Sequence, residues 1–160
     1  MYRVLESGIS LIWPLYSDPR ISSFKTKLTQ IIRPMKRSVY KISDLNGSKL
    51  LTRLRVKFSD LREHKFRHNF FSTSTCMCNR DVETTEHYLL RCHLYSGPRV
   101  ILLDSVSNII NEDVTTFSEQ SLCLLLLYGN ENMNEIANRL ILESTIIFIN
   151  DSGRFTRYVN

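Results

Sequence analysis

The chain has 160 residues, the length of one domain or of one domain with an arm. Its 42% hydrophobic and 23% charged residues suit a soluble globular protein with a sizeable core, and 5 Gly with 4 Pro exclude collagen-like and Gly/Pro-rich low-complexity chains. The net charge of +5 leans towards a polyanionic partner. That charge is uneven. Residues 1–70 hold 15 Lys and Arg against 5 Asp and Glu, whereas residues 71–160 hold 6 against 11, so a half at +10 precedes one at −5. A concentrated positive field suits nucleic acid, and it equally suits the solvated faces of ordinary helices.

Residues 1–19 carry Trp13, Pro14, Tyr16 and Pro19 and read as an irregular, partly apolar arm. The weak apolar stretch from Ile9 to Leu15 is flanked by Glu6 and followed by no small-residue cleavage site, so it does not read as a signal peptide. Ile21, Phe24, Leu28, Ile31 and Ile32 then recur at helical spacing, and Pro34 stops that helix. This basic arm and amphipathic helix make a first segment, 1–45. A helical domain, 46–155, and a short tail, 156–160, follow.

Asn46-Gly47 is a turn signal, after which Ser48 can cap a helix whose apolar stripe is Leu50, Leu51, Leu54, Phe58 and Leu61. Lys49, Arg53 and Lys57 recur every four residues on another face, with Arg55 nearby, a ladder that can track a phosphate backbone or simply face water. His64 and His68 stand four apart, which is metal-ligand spacing on a helix, but no acidic residue completes a metalloprotease pattern and a structural or RNA-facing role fits them better.

Gly97-Pro98 opens the next helix, with Leu102, Leu103, Val106, Ile109 and Ile110 as its buried face. Ser118 can cap a helix through Leu122–Tyr128 that Gly129 ends. Its apolar run is far short of the roughly 20 residues that span a bilayer, and its apolar circumference predicts a central position. Asn132 and Glu135 form a capping box for a last long helix containing Ile136, Leu140, Ile141, Ile147 and Phe148, closed by Gly153. The fold expected is mainly α, a small helical bundle with a short zinc-knuckle-like Cys/His loop in its middle.

That loop, 76–92, reads Cys76-Met77-Cys78, His87, Cys92, or C-x-C-x8-H-x4-C. Zinc takes four thiolate or imidazole donors in a tetrahedron. A close Cys pair on a turn and a distant His/Cys pair at a helix end supply them, and a chain without export signals uses clustered cysteines for metal rather than for disulfides. His87 and Cys92 are about 500° apart on an α-helix, so the helix carrying His87 has to end near Leu90 or Arg91 for Cys92 to turn inward. His93 is an alternative ligand. Buried reduced cysteines beside a core histidine are the plain alternative to a metal site, and Cys123, inside the leucine run, reads as core.

Several blocks occur in a fixed order: Leu50-Leu51-Thr52-Arg53-Leu54-Arg55, Glu63-His64-Lys65-Phe66-Arg67-His68-Asn69-Phe70, Cys76-Met77-Cys78, and Glu83-Thr84-Thr85-Glu86-His87-Tyr88-Leu89-Leu90-Arg91-Cys92. Together they resemble the C-terminal region of non-LTR retrotransposon reverse transcriptases of the jockey-like elements, over roughly Gly47 to Phe155. The resemblance implies that Cys76, Cys78, His87 and Cys92 bind Zn2+ in a knuckle that handles element RNA or target DNA. Asn79 stands where that family often has Gly, and His93 where it often has Pro; Asn tolerates the left-handed conformation such a turn needs.

No adjacent Asp pair or aromatic-x-Asp-Asp block of the polymerase kind, no nucleophile beside a base and no Gly-rich phosphate loop is present, so the expectation is a non-catalytic, zinc-binding, nucleic-acid-binding accessory module. RNA or DNA is the expected partner, with no membrane and no small-molecule substrate, in an intracellular location, nuclear or cytoplasmic. Arg53, Arg55, Lys57, Lys65 and Arg67 are the expected phosphate contacts. Phe66, Phe70 and Tyr88 are candidate stacking platforms as well as core candidates. The alternatives are a helical protein-interaction or structural module, and an inert relic of the element.

Overall fold

The computed structural model describes residues 44–156, so all but the last two residues of the expected first segment, 1–45, with its arm and amphipathic helix, lie outside them, as does most of the tail. Five α-helices follow in order: α1 Leu45–Arg55, α2 Arg62–Arg67, α3 Ser96–Ile110, α4 Glu119–Tyr128 and α5 Glu135–Asp151. A loop, a π-helical turn at His87–Arg91 and a 3-10 turn at His93–Tyr95 join α2 to α3. The architecture is the expected small helical bundle around a Cys/His loop, and the isolated bridge between Thr75 and Val82 is the extended pairing among the described residues.

The bundle assembles on α5, which packs against α1, α3 and α4. Ile141, Leu142, Phe148 and Ile149 of α5 meet Leu51 and Leu54 of α1, Leu102 and Val106 of α3, and Leu126 of α4 in one core. The apolar run of α4 had predicted a central place for that helix. Its Leu122, Cys123, Leu125, Leu126 and Leu127 are indeed buried, but Leu124 is half exposed and α5 is the hub. Length decides this, because α5 has 17 residues and can span three partners. No helix among the described residues is long and apolar enough to cross a membrane.

Three helix boundaries differ from the sequence expectation, each for a local reason. Helix α1 starts at Leu45 because Asp44, not Ser48, is its cap; the Asp44 carboxylate accepts the Gly47 N–H at 2.9 Å. The expected turn at Asn46-Gly47 is therefore the first helical turn, and Gly47 is buried where any Cβ would collide with Ile146 of α5. At its other end α1 stops at Arg55, so Phe58 leaves the expected stripe and is exposed while Leu61 is buried beyond the helix. Helix α5 is capped by Asn134, which accepts from Ala137, since Asn130 and Asn132 already form their own turn held by the Asn138 side chain. The expected Ser118 cap is present, as are the ends at Gly129 and Gly153, both with positive φ.

Candidate metal centre

The bridge between Thr75 and Val82 folds residues 75–82 into a tight knuckle. Cys76 N–H donates to the Asp81 carbonyl at 2.8 Å, and Asn79 N–H to the Cys76 carbonyl at 2.9 Å. Asn79 takes φ 58°, the left-handed turn expected of it. The knuckle directs backbone donors at sulfur: the N–H of Cys78 towards Cys76, and those of Arg80 and Asp81 towards Cys78. Such donors favour the thiolate.

His87 comes from the opposite side. Thr84 caps its segment, accepting the His87 N–H on its hydroxyl at 3.0 Å and the Tyr88 N–H on its carbonyl at 3.0 Å. The sequence required the helix to break before Cys92. The chain meets that requirement by widening its last turn: Cys92 N–H closes on the His87 carbonyl, five residues back, at 2.7 Å. A closure of this π type puts residues five apart about one turn apart, so His87 and Cys92 share a face that an α-helix would deny them. Cys92 then adopts an extended conformation that ends the turn.

The donor atoms of Cys76, Cys78, His87 and Cys92 all lie within 4.8 Å of one another. The Cys76 and Cys92 sulfurs are 3.7 Å apart, and the Cys78 sulfur is 3.3 Å from His87 Nε2. A tetrahedral ion with thiolate bonds of about 2.3 Å separates its sulfurs by about 3.8 Å. The Cys76–Cys92 separation is therefore close to the edge of a coordination tetrahedron and far from the roughly 2.05 Å of a disulfide, and the other donors lie within 4.8 Å. Cys76, His87 and Cys92 are buried and Cys78 is half buried, and all the cysteines are free thiols. These four residues can hold a metal ion. His93 is exposed and outside the cluster, so the alternative ligand drops out. Cys123 is core, as expected, and burial raises its thiol to about 12.

Electrostatics prepares the site unevenly. Burial pushes Cys76 up to about 12 and raises Cys92, whereas for Cys78 the donors of Arg80 and the neighbouring thiols outweigh burial and lower it. Burial lowers His87, so its ring is neutral and its Nε2 faces the sulfurs. The other ring nitrogen, Nδ1, is buried without a hydrogen bond, and the Asp81 carboxylate stands 3.6 Å from it, in the place of the carboxylate that commonly orients a metal-bound imidazole.

Sequence reasoning missed two supports. Arg99 is buried and donates to the carbonyls of Leu89 at 2.7 Å, Tyr88 at 3.1 Å and Cys92 at 2.7 Å, satisfying the end of the π turn. Among the described residues it has no carboxylate partner, so its charge faces the thiols. Glu83 is fully buried and holds Arg154 through two 2.8 Å hydrogen bonds, while accepting the Arg62 N–H at 2.6 Å. That carboxylate ties the metal loop to α2 and to the chain after α5. Acid–base partners so far apart in sequence leave no periodic signal.

The expected phosphate contacts are placed as follows. Arg53, Lys57 and Arg67 are exposed, Arg67 with an ion pair to Glu63. Lys65 is half buried and paired with Asp60. Arg55 donates to the Leu127 carbonyl at 2.5 Å and lies 5.6 Å over the Tyr128 ring, clamping α1 to α4. The described residues hold 12 Lys and Arg against 14 Asp and Glu, so their net charge is −2 and the chain's basic excess lies mostly before residue 44. Of the stacking candidates, Tyr88 is fully buried among Tyr95, Phe148 and Phe155, whereas Phe66 and Phe70 are exposed. His64 is buried, its Nδ1 2.8 Å from the Ser59 hydroxyl and its Nε2 3.3 Å from that of Thr85, and His68 is exposed just beyond α2. The two histidines therefore do not share a site. No protein-family model, curated protein or solved structure matches the chain.

Proposed function

We propose that this chain is a non-catalytic module in which Cys76, Cys78, His87 and Cys92 bind one structural Zn2+ and stabilise a surface for RNA or DNA. The observation that carries the reading is the convergence of three sulfurs and one imidazole nitrogen, from two separate segments, to within 4.8 Å of one another. Three thiolates and an imidazole favour zinc over the hard, oxygen-seeking ions, and four protein donors, three of them buried, leave no place for a reacting water. A Cys3His zinc centre carries net charge −1, a counter-charge that buried Arg99 lacks among the described residues. When bound, the ion would contribute on the order of 10 kcal/mol to folding of the 75–95 region.

The nucleic-acid half of the reading rests on the +10 half of the sequence and on the ordered blocks that resemble the C-terminal region of jockey-like reverse transcriptases. It predicts binding that weakens steeply with salt, because counterion release dominates phosphate contacts. A gel-shift titration of the zinc-loaded chain with single-stranded RNA and duplex DNA, between 50 and 300 mM salt, tests it. A shift at low salt that fades on titration is expected, and no shift at low salt contradicts it. The second reading, a helical protein-interaction module, is favoured by one observation: Ile136, Leu140 and Ile147 are exposed along one stripe of α5.

A further inference from the structure

Helices α1 and α2 end in the same way. At the end of α1, Lys57 is left-handed, its N–H reaches the Leu54 carbonyl and the Phe58 N–H reaches the Arg53 carbonyl. At the end of α2, Asn69 is left-handed, its N–H reaches the Phe66 carbonyl and the Phe70 N–H reaches the Lys65 carbonyl. Both are Schellman motifs, and each sets an aromatic residue two positions past the helix cap and a cation at the carbonyl it closes on. The aromatic at that place usually packs back on its own helix. Here Phe58 is 57% exposed and Phe70 is 70% exposed.

The two motifs meet. His68 lies between the phenylalanines, 5.0 Å from Phe58 and 6.4 Å from Phe70 between ring centres, and a cavity of about 210 Å³ is lined by these three rings together with Arg53 and Lys65. Asp60 is the carboxylate on this lining, and it is paired with Lys65. Next to it, sharing the Asp60–Lys65 pair, is a larger groove where Phe71 carries Arg62 and Lys65 against its ring at 5.6 and 5.7 Å. Four of the chain's eight phenylalanines are thus exposed within residues 58–71. Exposed rings alternating with cations match the alternation of base and phosphate along a single strand, whereas a duplex hides its base faces.

We infer that Phe58, His68 and Phe70 form a stacking platform for the bases of single-stranded nucleic acid, with Arg53 and Lys65 holding its phosphates. The inference rests on the nucleic-acid reading above and adds to it the strand state and the residues. The test is fluorescence anisotropy with the zinc-loaded full chain, using a labelled 12-nucleotide oligouridylate and an RNA duplex of equal length at one salt concentration. The single strand should bind at least tenfold tighter than the duplex. Phe58→Ala and Phe70→Ala should each weaken single-strand binding about tenfold, leaving duplex binding, metal content and Tm unchanged. Phe70→Leu, which keeps apolar bulk without the ring, should fall with Phe70→Ala. Equal binding of both RNAs, unaltered in these variants, would overturn the platform and leave nucleic-acid binding standing. Binding of neither RNA would overturn both. A chain that dimerises, and becomes monomeric in Phe58→Ala, would assign the patch to self-association instead and likewise overturn it.

Discussion

Arg99 shows how one side chain can couple the fold to the metal site. Its guanidinium fills three carbonyl valences at the end of the π turn and brings a positive charge to the sulfur cluster, without a carboxylate to neutralise it among the described residues. Arg99→Met keeps much of the volume but strands those carbonyls, and zinc affinity in a competition titration with a chromophoric chelator should fall about 10–100-fold. Arg154→Met leaves Glu83 as a fully buried carboxylate without its cation, and the urea-unfolding free energy should fall by about 3–5 kcal/mol. Burial drives the His64 imidazole down to about 4 from its ordinary 6.5, with the cations Lys57 and Arg67 acting in the same direction and Glu86 against them. The unfolded chain therefore binds a proton that the native chain refuses between those values. The contribution is whole above pH 6.5 and about 3 kcal/mol is lost as pH falls through about 4. Acid also acts on the Cys/His cluster, so the comparison is with His64→Gln, which should lose about 3 kcal/mol less than the parent between pH 7 and 4 by urea unfolding. The clustering of Cys76, Cys78, His87 and Cys92 and the left-handed turn at Asn79 were legible from spacing and side-chain chemistry. Arg99 and the Glu83–Arg154 pair were not, because their partners are backbone carbonyls or lie 71 residues away.

Among the elements, the π turn does most to assemble the Cys/His cluster. The spacing of His87 and Cys92 stated the geometric problem in advance, and the expectation that the helix must end by Arg91 holds. What the sequence did not disclose is the wider closure at Cys92 that brings His87 and Cys92 to one face. Deleting Leu90 would restore a four-residue separation and an α-type turn, but it would shift Cys92 relative to Arg99. The deletion variant should bind zinc at least 100-fold more weakly in the same competition titration, and parent-like affinity would show that the closure is dispensable. Helix ends were the least legible feature elsewhere. Ser48 and Asn132 are reasonable caps, yet Asp44 and Asn134 win because their oxygens reach an early N–H while the competitors bond elsewhere: the Ser48 hydroxyl to the Asp44 carbonyl, and the Asn132 N–H to Asn130. Phe58 was assigned to an apolar stripe by its period. A Schellman ending at Lys57 turned it out to the surface, a decision made by backbone hydrogen bonds that hydrophobic spacing does not encode.

For the molecule as a whole, the bundle and the metal loop depend on each other. Helix α3 carries Arg99, the chain after α5 carries Arg154, and both reach the loop that holds the donors. Helical class, the order of the four longer helices among the described residues and most of the core leucines were readable from periodicity, whereas α2 and the hub role of α5 were not. The charge pattern has also become more specific. The described residues are slightly acidic overall, so any phosphate-binding field from them comes from the local face built by the ends of α1 and α2. The most direct test of the central claim is the metal content of the purified chain, by inductively coupled plasma mass spectrometry, beside that of Cys78→Ser. One zinc per chain in the parent, lost or sharply reduced in the variant, is the predicted result. A folded parent chain without bound metal and with all three loop thiols titratable would contradict it.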